Sequence, residues 1–221
     1  MAKEIIQTGA VLLKEDFSFD SEFSSFSRPQ VGYLSSYVRK MTGIKKEDLQ
    51  HAPSIETVLQ EMGAWLSGKE VLALSWSDSD PRQLSREMKV KGIHVPEIET
   101  LLSGWTDFQA DFGRLLGLKE RCSLSDALRI CHITPIGREH DGLFDARNTA
   151  TLFSKLQRSG KLLITPTPLG KKGNPVKSHP KEDRKPRWTM ERFFFACRNG
   201  KEAAFGDAYR KYHFAKQMQK I

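Results

Sequence analysis

The chain has 221 residues, 38% hydrophobic and 28% charged, with 35 Lys and Arg against 27 Asp and Glu and a formal net charge of +8. That is enough apolar chain for one well-buried domain plus an appendage, and it excludes a disordered polymer. Cys122, Cys131 and Cys197 lie too far apart for a CxxC motif, and MAKEIIQTGAVLL has no basic region ahead of a long apolar run. No window reaches the roughly eighteen apolar residues of a membrane span, so a soluble, cytoplasmic protein is expected.

EIIQTGAVLL (residues 4–13) is apolar and β-branched enough for a strand, and FSFDSEFSSFSRP (17–29) alternates Phe with polar residues as a second strand ending at Pro29; the two should pair as a hairpin. Leu34, Tyr37, Val38 and Met41 recur at helical spacing and stop at Gly43. Ser54 caps a predicted helix whose Ile55, Val58, Leu59, Met62, Trp65 and Leu66 form one face, with Gly68 just beyond its end. EVLALSW (70–76) is a continuous apolar run, the pattern of a strand covered on both faces. Asp80 precedes Pro81, and Leu84 and Met88 continue a helix with proline at its first position. Further helices are predicted over 106–116, over 123–131 behind the capping box Ser123-x-x-Asp126, and over 142–158 with Leu143, Ala146, Ala150 and Phe153 buried. A hairpin followed by helices and a buried strand indicates a mixed α/β layer fold.

The positive charge is concentrated at one end. Residues 155–221 hold 17 Lys and Arg against 5 Asp and Glu, a net +12, which leaves −4 for residues 1–154. TPTPLGKKGNPVKSHPKEDRKPR (165–187) contains half of the ten prolines, and Pro, Gly and Lys there oppose regular structure. The organisation read from this is a domain over 1–160, a basic Pro/Gly-rich linker over 161–187, and an aromatic and basic segment over 188–221. A solvated tail and a nucleic-acid contact both fit the composition. Trp188, Phe193 to Phe195, Tyr209 and Tyr212 add stacking faces to the charge, the combination used on single strands.

Three places carry candidate chemistry. Asp80 closes SWSDSD where a buried strand gives way to a helix, and ligands in open α/β sheets gather beyond the carboxyl ends of strands. An N-cap role serves Asp80 equally well, with Asp78 as a second capping candidate. In HDGLFDARNTATLF (140–153), five residues of helix rotate by about 140° net, so His140 and Asp145 converge only if His140 sits in the preceding loop. Asp141 and Asp145 are also what a helix dipole favours at an N-terminus. The third, Asp20 and Glu22 of FDSEF, forms an Asp-x-Glu on the second strand, where a sheet-surface position is expected.

The order of these features resembles the DEDDh family of 3′–5′ exonucleases, the ribonuclease T-like domain. EIIQTGAV is similar to that family's second strand, FSSFSRP to its third, YVRKMTGIKKEDLQHAPSIETVLQEMGAWL to its Thr-Gly-Ile segment, ALSWSDSD to its second acidic motif and HDGLFDARNTA to its third, over roughly residues 4–157. The resemblance implies a ribonuclease H-like fold with a mixed five-stranded sheet flanked by helices. It also implies phosphodiester hydrolysis from the 3′ end of single-stranded RNA or DNA by two Mg²⁺ or Mn²⁺ ions. Hard divalent cations take oxygen ligands, and a pair about 3.5 to 4 Å apart can activate water and hold the leaving oxygen. By that resemblance Asp80 and Asp145 are metal ligands and His140 is the general base.

The family's first motif, Asp-x-Glu, lies on the strand before the one resembled by EIIQTGAV, and only three residues precede that strand here. The expectation is therefore a sheet lacking its N-terminal central strand. From it follow two readings: an exonuclease whose reading frame starts further upstream, or a catalytically inactive nucleic-acid-binding or regulatory module of the same fold. The free edges of such a sheet would promote association, and the oligomeric state is left open.

Overall fold

The computed structural model describes residues 4–160 and the strand Phe193–Asn199. Strand β1 (Gln7–Leu13) pairs antiparallel with β2 (Phe19–Phe26), as the hairpin pattern predicts, with Gln7 opposite Phe26 and Leu12 opposite Ser21. Helices α1 (Ser36–Thr42), α2 (Lys46–Gln50) and α3 (Ile55–Leu66) follow. Gly43 ends α1 in the left-handed region at φ 78°, and Ser54 caps α3 by accepting the N–H of Thr57. Next come β3 (Val71–Leu72), β4 (Leu74–Ser75), α4 (Ser79–Lys91), α5 (Pro96–Ser103), β5 (Thr106–Asp107), α6 (Phe108–Leu116), α7 (Leu124–Ile130) and α8 (Gly142–Arg158). Phe193–Asn199 is β6.

The strands form a four-stranded sheet ordered β2-β1-β6-β3 and a two-stranded sheet of β4 and β5. The continuous strand predicted over 70–76 is thus two short ones: β3 joins β6, while β4 turns away at Ala73 to pair with β5. A continuous apolar run looks the same in sequence whether or not it bends.

The gap expected at the centre of the sheet is filled. β6 lies beside β1 in parallel, from Thr8 opposite Phe193 to Leu13 opposite Arg198, and runs antiparallel to β3, with Leu72 also opposite Arg198. It comes from the segment that composition sets apart as an aromatic, basic arm. The stretch 165–187 and Trp188, Tyr209 and Tyr212 lie outside the described residues.

All seven residues of β1 are buried because both faces are covered. Ala10 and Leu12 pack with Ile55, Leu59 and Met62 of α3 and Leu84 of α4, whereas Val11 and Leu13 pack with Trp76, Phe108, Phe112, Ala146 and Phe153. Alternate side chains of one strand therefore serve two cores, which fixes α3 to α5 on one side and α6 to α8 on the other. Where β1 begins, Lys91 bridges Glu4 at 2.8 Å and Glu87 at 2.7 Å, and Glu87 also accepts the N–H of Ile5 at 2.8 Å.

Candidate nuclease site

The site is built around the N-terminus of α8. Asp141 is the N-cap, and its Oδ1 accepts the N–H groups of Leu143 at 3.0 Å and Phe144 at 3.2 Å. Asp145, in the first turn and 4% exposed, reaches back to accept the N–H of His140 at 3.1 Å. His140 occupies the loop, half-buried, with φ 75°. A non-glycine residue in that region is uncommon and is held by its surroundings. The structure thus joins His140 and Asp145 as the spacing requires, through the loop and not along a helical face. Gly142 is the first residue of α8 and not part of the loop.

Two contacts missed in the sequence hold this corner. Gln7 of β1 accepts the N–H of Gly142 on its side-chain oxygen at 2.9 Å. Asn148, buried on α8, accepts the N–H of Ile136 at 2.9 Å and donates to its carbonyl at 3.0 Å, which pins the start of the His140 loop. The backbones of β1 and α8 approach so closely that a Cβ at Gly9 would stand 2.3 Å from the carbonyl carbon of Gly142. Only glycine fits there.

Asp80 is 3% exposed in the first turn of α4. The helix starts earlier than predicted, so Asp78 occupies the N-cap position and Pro81 is the third residue. Asp78 pairs with Arg82 at 2.6 Å. The Asp-x-Glu on β2 is structural: Asp20 is exposed, and Glu22 takes a two-pronged ion pair from Arg147 of α8 at 2.8 and 2.5 Å. That guanidinium, against a smaller opposing effect of burial, holds the Glu22 carboxyl below its usual range.

Strand β6 lies against both α4 and α8, the helices that carry Asp80 and Asp145. Its sequence, FFFACRN, contains no carboxylate. Among the described residues no group of three or more His, Cys, Asp or Glu gathers to hold a metal ion. The described residues therefore do not by themselves make up the donor set that two hard cations need.

A family profile described as Exonuclease, RNase_T, matches residues 1–153. The chain is 32% identical over 189 residues to ERI1 exoribonuclease 2 of Danio rerio, covering 75% of this chain and 33% of that protein, so it spans about a third of the relative's length. Its fold is similar to the nuclease domain of 3′hExo, a DEDDh family member solved with rAMP bound. The TM-score there is 0.65 at 24% identity, over 75% of this chain and 86% of that one. It is also similar to a 3′-exonuclease solved in 3′-end-specific recognition of a histone mRNA stem-loop, with TM-score 0.58 at 17% identity over 73% of this chain and 87% of that one. The order of motifs, the α/β architecture with α8 seated on β1, and the profile match over most of the chain agree: this protein belongs to the RNase_T exonuclease family, of DEDDh type.

Proposed function

We propose that the protein acts on the 3′ end of single-stranded nucleic acid as a 3′–5′ exonuclease, in the cytoplasm. The observation that carries this is the His140–Asp145 corner, a histidine on a loop clamped to a carboxylate at a helix N-terminus. His140 is the group that takes the proton of the attacking water, because an imidazole exchanges protons near neutral pH and a loop lets it approach once substrate is seated. Asp145 is oriented by the amide of His140 and favoured by the dipole of α8, so its carboxylate is fixed before substrate arrives. Asp80 supplies the second carboxylate from α4. Bound divalent ions in this family's chemistry would supply Lewis acidity, but Asp80 and Asp145 alone fall short of a two-ion ligand set.

That shortfall supports a second reading, an inactive nucleic-acid-binding member of the family, and β6 is the observation that favours it. One experiment separates the two. The 221-residue protein is incubated with a 3′-labelled oligonucleotide and Mn²⁺ or Mg²⁺, beside Asp145→Asn and His140→Ala. Release of labelled mononucleotide that falls at least about 100-fold in both variants supports the exonuclease. Binding of the oligonucleotide with no release supports the inactive member, and release undiminished in Asp145→Asn rejects the assignment of the site.

A further inference from the structure

We propose that the groove between α8 and the β1–β2 hairpin is a second seat for single-stranded nucleic acid, separate from the His140–Asp145 corner. It rests on the nucleic-acid reading above, but not on hydrolysis. The groove encloses about 920 Å³, the upper end of what ligand sites occupy. Val11, Leu13 and Ala150 form an apolar floor. At its mouth Phe19 and Ile136 are 56% and 45% exposed. The ring of Phe17 packs edge-on against Phe153, so Phe19 is the aromatic face left for a base to stack on.

The rim carries Arg147, Lys155 and Arg158 with one carboxylate, Glu22. Arg147 is spent on Glu22. Lys155 donates to the carbonyl of Cys131 at 2.7 Å, and Arg158 donates to the carbonyl of Asp16 at 3.2 Å. These partners are neutral and hold the two side chains in place: Lys155 makes no ion pair among the described residues, and Arg158 is offset in part by the Asp16 carboxylate, whose pKa it helps to lower. That carboxylate, which does not line the groove, also accepts the N–H and hydroxyl of Ser18 at 2.9 and 2.6 Å. Lys155 and Arg158 stand three apart on α8, on one face. Lys155 lies about 15 Å along the helix from Asp145, at 1.5 Å per residue. Cations over an apolar floor beside an exposed ring match a strand of phosphates and bases. The chain's own 161–187 segment, with 8 Lys and Arg against 2 Asp and Glu, has the wrong charge for this seat.

The test uses the 221-residue protein in EDTA, where nothing is cleaved, and follows the anisotropy of a fluorescein-labelled deoxythymidylate decamer across a salt titration. Lys155→Glu with Arg158→Glu should weaken binding at least about tenfold at low salt. Loss of two phosphate contacts should also flatten the slope of log K against log salt by about 1.4. Lys155→Gln with Arg158→Gln should flatten it equally, which guards against a folding defect in the charge reversal. Phe19→Ala should weaken binding about fivefold or more and leave the slope unchanged. Parental affinity and slope in all three variants would overturn the proposal, as would equally tight binding of a polyglutamate peptide, which would make the groove an acidic-protein site. Failure of the hydrolysis assay leaves this binding measurement standing, and failure here leaves the His140–Asp145 assignment standing.

Discussion

Replacing Gly9 with alanine tests whether the seating of α8 on β1 positions the site. The new Cβ would stand 2.3 Å from the carbonyl carbon of Gly142 and 2.5 Å from the nitrogen of Leu143, both backbone atoms that no rotamer change can move aside. Ordinary carbon–carbon contact begins near 3.5 Å, so the start of α8 must retreat by about 1 Å. Overpacking of this kind costs about 1–3 kcal/mol. The retreat also strains the Gln7–Gly142 hydrogen bond, worth about 1 kcal/mol. Stiffening the unfolded chain returns about 0.4–1 kcal/mol. The net is a loss of about 2–3 kcal/mol, and with a urea slope of about 2 kcal/mol/M the midpoint should fall by about 1–1.5 M. Urea titration followed by tryptophan fluorescence reads this directly. Amide exchange should accelerate at His140, whose N–H bonds to Asp145 on the displaced turn. A midpoint within about 0.3 M of the parent, with His140 still protected, would refute the argument.

Three further outcomes are expected. Burial pushes the Asp111 carboxyl from 3.8 up to about 6, against the pull of Arg114, and its Oδ2 is buried without a hydrogen-bond partner. The folded state then keeps a proton that the unfolded state releases, so stability should fall as pH rises from about 4 to 6. Asp111→Asn should abolish that fall, worth up to about 3 kcal/mol, in melting curves across the range. Glu4 is the opposite case: burial raises its pKa, but Lys91 and the amides of Gln30, Gly32 and Val31 outweigh it and hold it at about 2 instead of 4.5. Its stabilisation is complete above about pH 4.5 and lost as pH falls toward 2, so Glu4→Gln should lower the melting temperature at pH 7 and make no difference near pH 2. Finally, Ala196→Pro places a residue without a backbone donor in the strand that joins β1 to β3, at the position opposite Val11. It should destabilise by about 3 kcal/mol or more, whereas an unchanged melting temperature would show that the sheet does not depend on β6.

The parts of the fold legible in sequence are those whose signals are local. Ser54, Gly43, Ser123 and Asp141 announce helix ends through capping chemistry within a few residues, and the α8 stripe of Ala146, Ala150 and Phe153 is set by one helix's own period. His140 and Asp145 belong to the same class, since a loop and one turn suffice to join them. Gln7 was not legible, because its partner Gly142 lies 135 residues away and nothing in QTGAV points to a helix terminus. Asn148 left a faint signal, a polar residue on an otherwise buried helical face. The helix over 96–103 was also signalled, by Pro96 at its first turn with Glu97 and Glu99 behind it, and α2 is too short to show a period. Asp20 and Glu22 show the converse: the right letters for acidic chemistry, on a strand where one is exposed and the other is bound to Arg147. Strand β6 was visible only as the aromatics Phe193 to Phe195, inside a basic segment whose composition fitted a solvated tail and a nucleic-acid contact alike and gave no sign of a strand partner.

The position of β6 also dictates when this protein can finish folding. Thr8 pairs with Phe193, 185 positions later in the chain, and β3 reaches the sheet only through β6. On a ribosome adding about 5–20 residues per second, the hairpin and the eight described helices emerge before the strand that joins β1 to β3 exists. For that interval the inner edge of β1, apolar and unpaired, is open to any neighbouring strand. Pairings across so long a separation close slowly because loop entropy is spent before contacts form. Chaperone demand and a tendency to aggregate during synthesis are thus built into the topology, and translation speed between the end of α8 and β6 becomes a lever on yield.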